Sequence, residues 1–332
     1  MTVRHAGWSL LAVALVLGGC RAGQQQEADS AASPRLNLAI NSFMALAARR
    51  WFNQLAVWEH IDADISVMGS GEAIDRLMRG AVDLAGTDTP LTPEERRRAP
   101  RGVVTVPVTA GALAVAYNHP GCALRLSRPQ LVNLYLGRIH DFAELGCSAR
   151  PIRLLHRQDS SGSTDTFTSS LAAFSETWRQ GPGAGRMVPW PAGTAVQGTD
   201  GMAIALDQQP GSIGYIDLAY VRPPLQAAAV ADHRGRPVLP TPEAAAAALA
   251  TVPFDADLLG SRADPPVGYP IVSYSWLMVP ARGLGKRLPA VRTALGYILR
   301  EAGQDDAERL GYVPLPRDVR RRAVEQLRRL AP

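Results

Sequence analysis

Strand-like apolar runs alternate with stretches of helical periodicity along most of the chain. Leu36 to Ile40 reads as a first strand, after which Asn41-Ser42 opens a helix carrying Leu46, Trp51, Phe52 and Leu55. A second strand, Ile61 to Met68, runs into Gly69-Ser70-Gly71-Glu72 and a helix with Ile74, Leu77, Met78 and Ala81 on one face. Val82 to Gly86 gives a third strand, and Thr87-Asp88-Thr89-Pro90 turns the chain. Thr92-Pro93-Glu94-Glu95 is a helix start with a hydroxyl cap, proline next and glutamate three positions on. Strand and helix units of this length predict an α/β protein with a parallel sheet, whose ligands gather at the carboxyl ends of the strands.

Further on, Val103 to Val108 and Ala112 to Tyr117 are apolar extended runs able to carry the chain from one lobe into another. Ser127-Arg128-Pro129-Gln130 begins a helix with Leu131, Leu134 and Leu136. A strand over Ile152 to Leu155 precedes a polar turn, and Phe167, Leu171 and Phe174 keep helical spacing over Thr166 to Phe174. A Gly/Pro-rich loop over 181–185 leads to Trp190-Pro191, a helix from Asp200 to Gln208 and a short strand over Ile213 to Ile216. Glu243 to Leu249 is an alanine-rich helix, Pro270 to Val279 a second long extended run, and Leu288 to Leu299 a helix. The tail, Asp318 to Leu330, is amphipathic, with Val319, Val324, Leu327 and Leu330 expected on its buried side.

The turn after Leu155 carries the most chemistry: His156-Arg157-Gln158-Asp159-Ser160-Ser161-Gly162-Ser163-Thr164-Asp165. At a strand-to-helix junction the first helical turn has N–H groups without intrahelical partners and the positive end of the helix dipole, which suits an oxyanion. Ser161 and Ser163 add hydroxyl donors, Gly162 admits close backbone approach, and Arg157 can fork onto two oxygens of one anion. Taken alone, the same turn also suits a well-capped helix with surface serines.

Composition narrows the class. The chain has 332 residues, 46% hydrophobic and 20% charged, which is ample for a globular core. Residues 1–20 read as a leader: Arg4 and His5 precede the apolar run Leu10 to Leu17, too short to span a bilayer. Leu17-Gly18-Gly19-Cys20 looks like a bacterial lipobox, so cleavage before Cys20 and lipidation of its thiol and amino group are expected. The alternative is an ordinary secretory signal; both place the mature protein outside the cytoplasm, in the periplasm or at the cell surface. Residues 21–34 are polar and aperiodic, a flexible tether. Cys122 and Cys147 are the remaining thiols, and in an oxidising compartment they predict one disulfide. Net charge is +5, with clusters at Arg96-Arg97-Arg98 and Arg320-Arg321-Arg322 that read as solvated helix faces. Nothing resembles a nucleic-acid module, and the scattered histidines show no metal-ligand spacing or nucleophile elbow.

Equivalent turns carry Ser42-Phe43, Ser70 and Asp88. With the central turn they form an ordered set that resembles the PstS-type phosphate-binding proteins of Pst-type ABC phosphate importers. The resemblance covers almost the whole mature chain, through Gly69-Ser70-Gly71, Val82 to Leu91, Leu134 to Ile139, the central turn, Asp200-Gly201-Met202-Ala203, Pro210 to Tyr215 and Tyr269-Pro270-Ile271. It implies a type II periplasmic-binding-protein fold: two doubly wound α/β lobes, residues 35–109 with 270–332 and residues 110–269, joined by two hinge strands. It also implies inorganic phosphate held between the lobes, handover to ABC permease subunits in the inner membrane, and no cofactor; a monomer is expected. The family's phosphate contacts fall on Ser42, Phe43, Ser70, Asp88, Arg157, Ser161, Gly162 and Ser163. The first loop departs from the family, whose Gly-Ala-Gly-Ala run reads Leu38-Ala39-Ile40-Asn41 here.

The residues support this reading on their own. An ionised Asp88 in a dry cleft repels fully ionised sulfate and accepts a hydrogen bond from protonated phosphate. Asp159 is placed to pair with Arg157, muting its charge. Two competing expectations are a secreted phosphatase-like enzyme of the same fold and a phosphate sensor or surface interaction protein with an altered cleft.

Overall fold

The computed structural model describes residues 35–332; the expected leader, tether and Cys20 lie outside the described residues. In chain order the strands are β1 (Arg35–Asn41), β2 (Asp62–Met68), β3 (Leu84–Thr87), β4 (Val103–Tyr117), β5 (Arg125–Leu126), β6 (Arg153–Arg157), β7 (Thr194–Val196), β8 (Ser212–Asp217), β9 (Gln226–Ala227), β10 (Ala229–Ala231), β11 (Pro237–Val238) and β12 (Val272–Pro280). The helices are α1 (Ala45–Trp58), α2 (Ser70–Met78), α3 (Pro93–Arg98), α4 (Arg128–Tyr135), α5 (Gly162–Phe174), α6 (Glu176–Gln180), α7 (Gly198–Gln208), α8 (Pro242–Leu249), α9 (Leu288–Leu299), α10 (Glu301–Glu308) and α11 (Arg317–Gln326).

Several boundaries follow from local chemistry. Thr92 and Ser127 each form a full capping box, with Glu95 and Gln130. Helix α2 closes with a Schellman turn: Gly80 at φ 71° donates to Leu77, and Ala81 donates to Arg76. Ala81 is therefore beyond the helix and exposed, not on its buried face. Val324 is likewise 48% exposed, against expectation. Ala323 continues the stripe from Val319, and the next residue points about 100° away around the helix.

A nine-stranded sheet runs in the order β2-β1-β3-β12-β4-β8-β6-β7, with β9 also paired to β4; β11-β10-β5 form a separate three-stranded sheet. The β1 pairs with β2 and β3, and the β6 pairs with β7 and β8, are parallel as expected. The centre is not: β12 runs antiparallel to β3 and β4, and β4 antiparallel to β8 and β9. The reason is that the two apolar runs at 103–108 and 112–117 are one strand of 15 residues that serves both halves of the sheet. Its first part pairs with β12 up to Ala112, and its last part with β8 from Leu113. The ladder shifts register at Ser275/Trp276, opposite Thr109 and Pro107. Proline has no N–H to give there, and the bulged Val108 carbonyl accepts from buried Gln304 at 2.9 Å.

Trp51, Trp178 and Trp276 are fully buried anchors of the core around this sheet. Cys122 and Cys147 are disulfide-bonded with Cα atoms 5.3 Å apart, as expected. By the chain-entropy argument such a loop gains about 3 kcal/mol. Among the described residues no helix is long and apolar enough to cross a membrane.

Candidate functional site

Parallel pairing puts the carboxyl ends of β1, β2 and β3 on one edge. Ser42 follows β1 and starts a single 3-10 turn, Ser70 opens α2 just after β2, and Asp88 follows β3. From the other half of the sheet, β6 ends at Arg157 and a four-residue turn enters α5 at Gly162. Strand ends from the two halves thus face each other, and the predicted residues meet there.

Asp88 is 2% exposed. Its Oδ1 accepts from Ser70 Oγ at 2.5 Å and its Oδ2 from Ser163 Oγ at 3.1 Å. Burial pushes its carboxyl above the usual carboxylate range, against the two serine hydrogen bonds and the charge of Arg157. Gly162 is required by this packing, since a Cβ there would lie 1.7 Å from Asp88 Oδ1 and 2.6 Å from Ser70 Oγ.

Arg157 is equally buried. Its Nε and one terminal nitrogen hold the Asp159 carboxylate at 2.7 and 2.5 Å, which is the expected pair. The other edge of the guanidinium donates to Thr199 Oγ1 at 3.2 Å and Ser42 Oγ at 3.1 Å, and Thr199 donates to Ser42 at 2.8 Å. Only this second edge is left to meet an anion. Burial raises the Asp159 pKa, but the Arg157 contacts and the Gly198 amide outweigh it and hold the carboxyl below its ordinary value.

Ser161 is the N-cap of α5, its Oγ accepting from Thr164 N at 3.3 Å. The Phe43 side chain belongs to the core, edge-on to Tyr312 at 6.1 Å between centroids. Its carbonyl accepts from the Tyr312 hydroxyl at 2.7 Å, which fixes the peptide at the first turn. In the altered first loop, Asn41 finds its space against Gly86, where a Cβ would lie 2.6 Å from Asn41 Oδ1.

Sequence reasoning missed Thr199 and Arg186. Thr199 follows Gly198, at φ 68°, in the first turn of α7, the same glycine-then-hydroxyl signal as the central turn. Arg186 left no local signal: it reaches out of the Gly/Pro-rich segment to Glu95 at 2.6 and 3.1 Å and to Thr89 at 3.1 Å. A pocket of about 100 Å³ opens beside Asp88, between α5 and the start of β12, lined by Asp165, Thr166, Ser169, Arg262 and Ser273 among others. Among the described residues no group of His, Cys, Asp and Glu is placed to hold a metal ion. The arrangement is a buried cluster of hydroxyls around one guanidinium edge, one carboxyl and the start of α5, chemistry suited to a tetrahedral, protonated oxyanion.

The family described as the PBP superfamily domain matches residues 25–298. The phosphate-binding protein PstS of Xylella fastidiosa (strain Temecula1) is 29% identical over 353 residues, covering 95% of this chain and 96% of the relative. PstS of Methanocaldococcus jannaschii is 26% identical, covering 94% and 91%. Among solved structures, a high affinity periplasmic phosphate-binding protein (PfluDING) bound with phosphate aligns with TM-score 0.72 at 20% identity, over 86% of this chain and 92% of that one. A phosphate-binding protein from Stenotrophomonas maltophilia aligns with TM-score 0.73 at 17% identity, over 88% and 93%. The fold is thus the type II periplasmic-binding fold of these structures, and with more than half its length matched the chain belongs to the PBP superfamily, its curated relatives being PstS-type phosphate-binding proteins.

Proposed function

We propose that this chain is an extracytoplasmic binding protein that captures inorganic phosphate and delivers it to the permease subunits of an ABC importer, without catalysing a reaction. The observation that carries the reading is the meeting of Arg157 with Ser42, and of Asp88 with Ser70 and Ser163, by strand ends from both halves of the sheet. The relatives named as phosphate-binding proteins support it. The halves act as lobes, residues 35–109 with 270–332 and residues 110–269, closing about β4 and the segment that leads into β12. Phosphate takes the Arg157 edge that otherwise faces Ser42 and Thr199, the hydroxyls of Ser42, Ser70, Ser161 and Ser163, those of Ser70 and Ser163 turning from Asp88 to do so, and the amides at Phe43 and Gly162. Its own proton goes to Asp88. Asp159 orients Arg157 from behind. Lipid on Cys20 tethers the protein, as a monomer, to the membrane that carries it.

Calorimetric titration with phosphate, using sulfate and arsenate as competitors, tests the reading. Phosphate and arsenate should bind and sulfate should not; no heat with phosphate, or equal binding of sulfate, refutes it. Turnover of a chromogenic phosphate ester would favour the enzyme reading instead.

A further inference from the structure

Behind the Phe43 turn lies a second set of buried polar groups, which anion binding as described above does not use. Asp217 ends β8, opposite Leu113 of β4, and is 1% exposed. Its Oδ1 accepts from Ala219 N at 3.2 Å, and its Oδ2 has no hydrogen-bond partner. Tyr312 stands close to the carboxyl, but its hydroxyl donates to Phe43. The residue after Tyr312, Val313, exchanges backbone hydrogen bonds of 3.2 and 2.7 Å with Ala110 of β4. The Phe43 ring covers Gly111 of the same strand, where a Cβ would lie 3.1 Å from the ring and 3.7 Å from Asp217 Oδ1. Asp217 belongs to one half of the sheet and Tyr312 and Phe43 to the other, and all three meet on the strand that serves both.

The titratable groups facing Asp217 are Tyr312, Asp88 from the end of β3, and Tyr220 from its own turn; Asp200 and Arg49 act in turn on Tyr220. Burial pushes the Asp217 carboxyl up to about 8, against the Ala219 amide and the nearby Tyr312 hydroxyl, which both favour the ionised form, and the charge of Asp88 adds a little to the rise. An ionised Asp217 would carry its charge in a dry site with only the Ala219 amide on Oδ1 and nothing on Oδ2, near a second carboxylate and a bound anion.

We propose that Asp217 is a proton-dependent positioning residue: protonated, it lets β8 close against Tyr312, which holds the Phe43 peptide in place, and ionised, it drives the two halves apart. This rests on the reading of the cleft as a phosphate site. Opening returns the carboxyl toward its ordinary range, so closure takes up a proton. Affinity must then fall as pH rises from the ordinary carboxylate range to about 8, where the closed form itself ionises.

Calorimetry of phosphate binding near about pH 6.5, in buffers of different ionisation enthalpy, counts the protons. The parent should take up about one proton more than Asp217→Asn, and the ratio of parent to variant affinity should fall by about tenfold per pH unit across that range. The ratio cancels the titration of phosphate itself; equal proton uptake and a constant ratio overturn the proposal. Asp217→Ser keeps an oxygen for the Ala219 amide and must behave like the asparagine variant, which also covers a failure of that variant to fold. Tyr312→Phe should lower affinity at every pH while keeping the extra proton, and unchanged affinity would sink the link through Phe43. If the parent binds no phosphate at any pH, the reading of the cleft falls. Small-angle scattering of the protein alone then decides the latch: the radius of gyration should rise with pH in the parent and stay constant in both Asp217 variants, and a constant parent radius overturns it.

Discussion

Asp88 takes two hydroxyl hydrogen bonds in a fully buried position, and that sets what an anion must bring to it. An acceptor already facing two donors welcomes a protonated oxygen and repels one that is only negative. Because burial raises the Asp88 pKa, the carboxyl gains its proton on acidification sooner than an ordinary aspartate. The neutral acid can then donate, so discrimination is present above the raised pKa and lost below it. Sulfate should compete with phosphate in the parent only at acid pH, whereas Asp88→Asn should admit sulfate at every pH; competition titrations that show no sulfate binding by the variant would remove Asp88 as the selectivity group. Arg157 makes a different case, because it faces both Asp159 and the hydroxyl pair. Arg157→Ala should weaken phosphate binding by about 10- to 100-fold, the loss expected for a hydrogen bond to a charged group. It should also destabilise the fold by about 3–5 kcal/mol, because it strands a buried carboxylate. Thermal unfolding checks this, and adding Asp159→Asn should restore part of the loss. Both residues were legible in the sequence as polar groups closing strand-like runs. Thr199 was not, because its partners Ser42 and Arg157 lie 157 and 42 positions away.

Helix α5 shows how an element can hide from its own pattern. Helical spacing of apolar residues begins at Phe167, yet the helix starts at Gly162. The first turn buries Gly162, Ser163 and Thr164 against the site, so its inner face is polar and periodicity cannot find it. The capped starts of α3 and α4 were legible because their caps are local, while β4 read as two runs because its middle, Thr109-Ala110-Gly111, interrupts the large apolar side chains although the backbone stays extended and buried. Gly162 read as room for a ligand; the structure gives that room to Asp88. Gly162→Ala must therefore move α5 away from the end of β3, since the added carbon meets both Asp88 and Ser70. The helix itself should survive, alanine being the better helix former. Far-UV circular dichroism should be unchanged while phosphate affinity falls by more than about tenfold; normal affinity would mean that α5 and Asp88 are not held together in the binding state.

Across the whole molecule the two halves are tied at many points beyond the shared strand, among them Thr105 to Asp257, Trp276 to Leu258 and Arg329 to Asp257, and two further ties lie beside the site, where they set how long an anion stays. Gly71 donates to the Ser160 carbonyl at 3.0 Å, and Arg186 grips Glu95 with both terminal nitrogens. The Arg186 carbonyl also receives the Ser161 amide at 3.0 Å, so this tie leads straight back to the cap of α5. Burial works to raise the Glu95 pKa, but Arg186 and the Thr92 amide overcome it and hold the carboxyl low, so the tie persists above the ordinary carboxylate range and is lost as pH falls through the depressed value. Glu95 was legible as a capping residue and Arg186 was not, because a long side chain from a loop chooses its partner by tertiary packing. Glu95→Gln separates the two roles: glutamine still completes the capping box with Thr92, and only the charge toward Arg186 disappears. An ion pair formed in the closed state acts on closure, so its loss should speed phosphate release more than it slows capture. For a pair with about a fifth of each side chain exposed, an effect of about 1 kcal/mol, or a few-fold in the release rate, is the expected scale. Stopped-flow release measurements should show this difference at low salt and a smaller one at high salt, where the parent pair is screened. A release rate equal to the parent's at low salt would place Arg186 and Glu95 outside the closing contact.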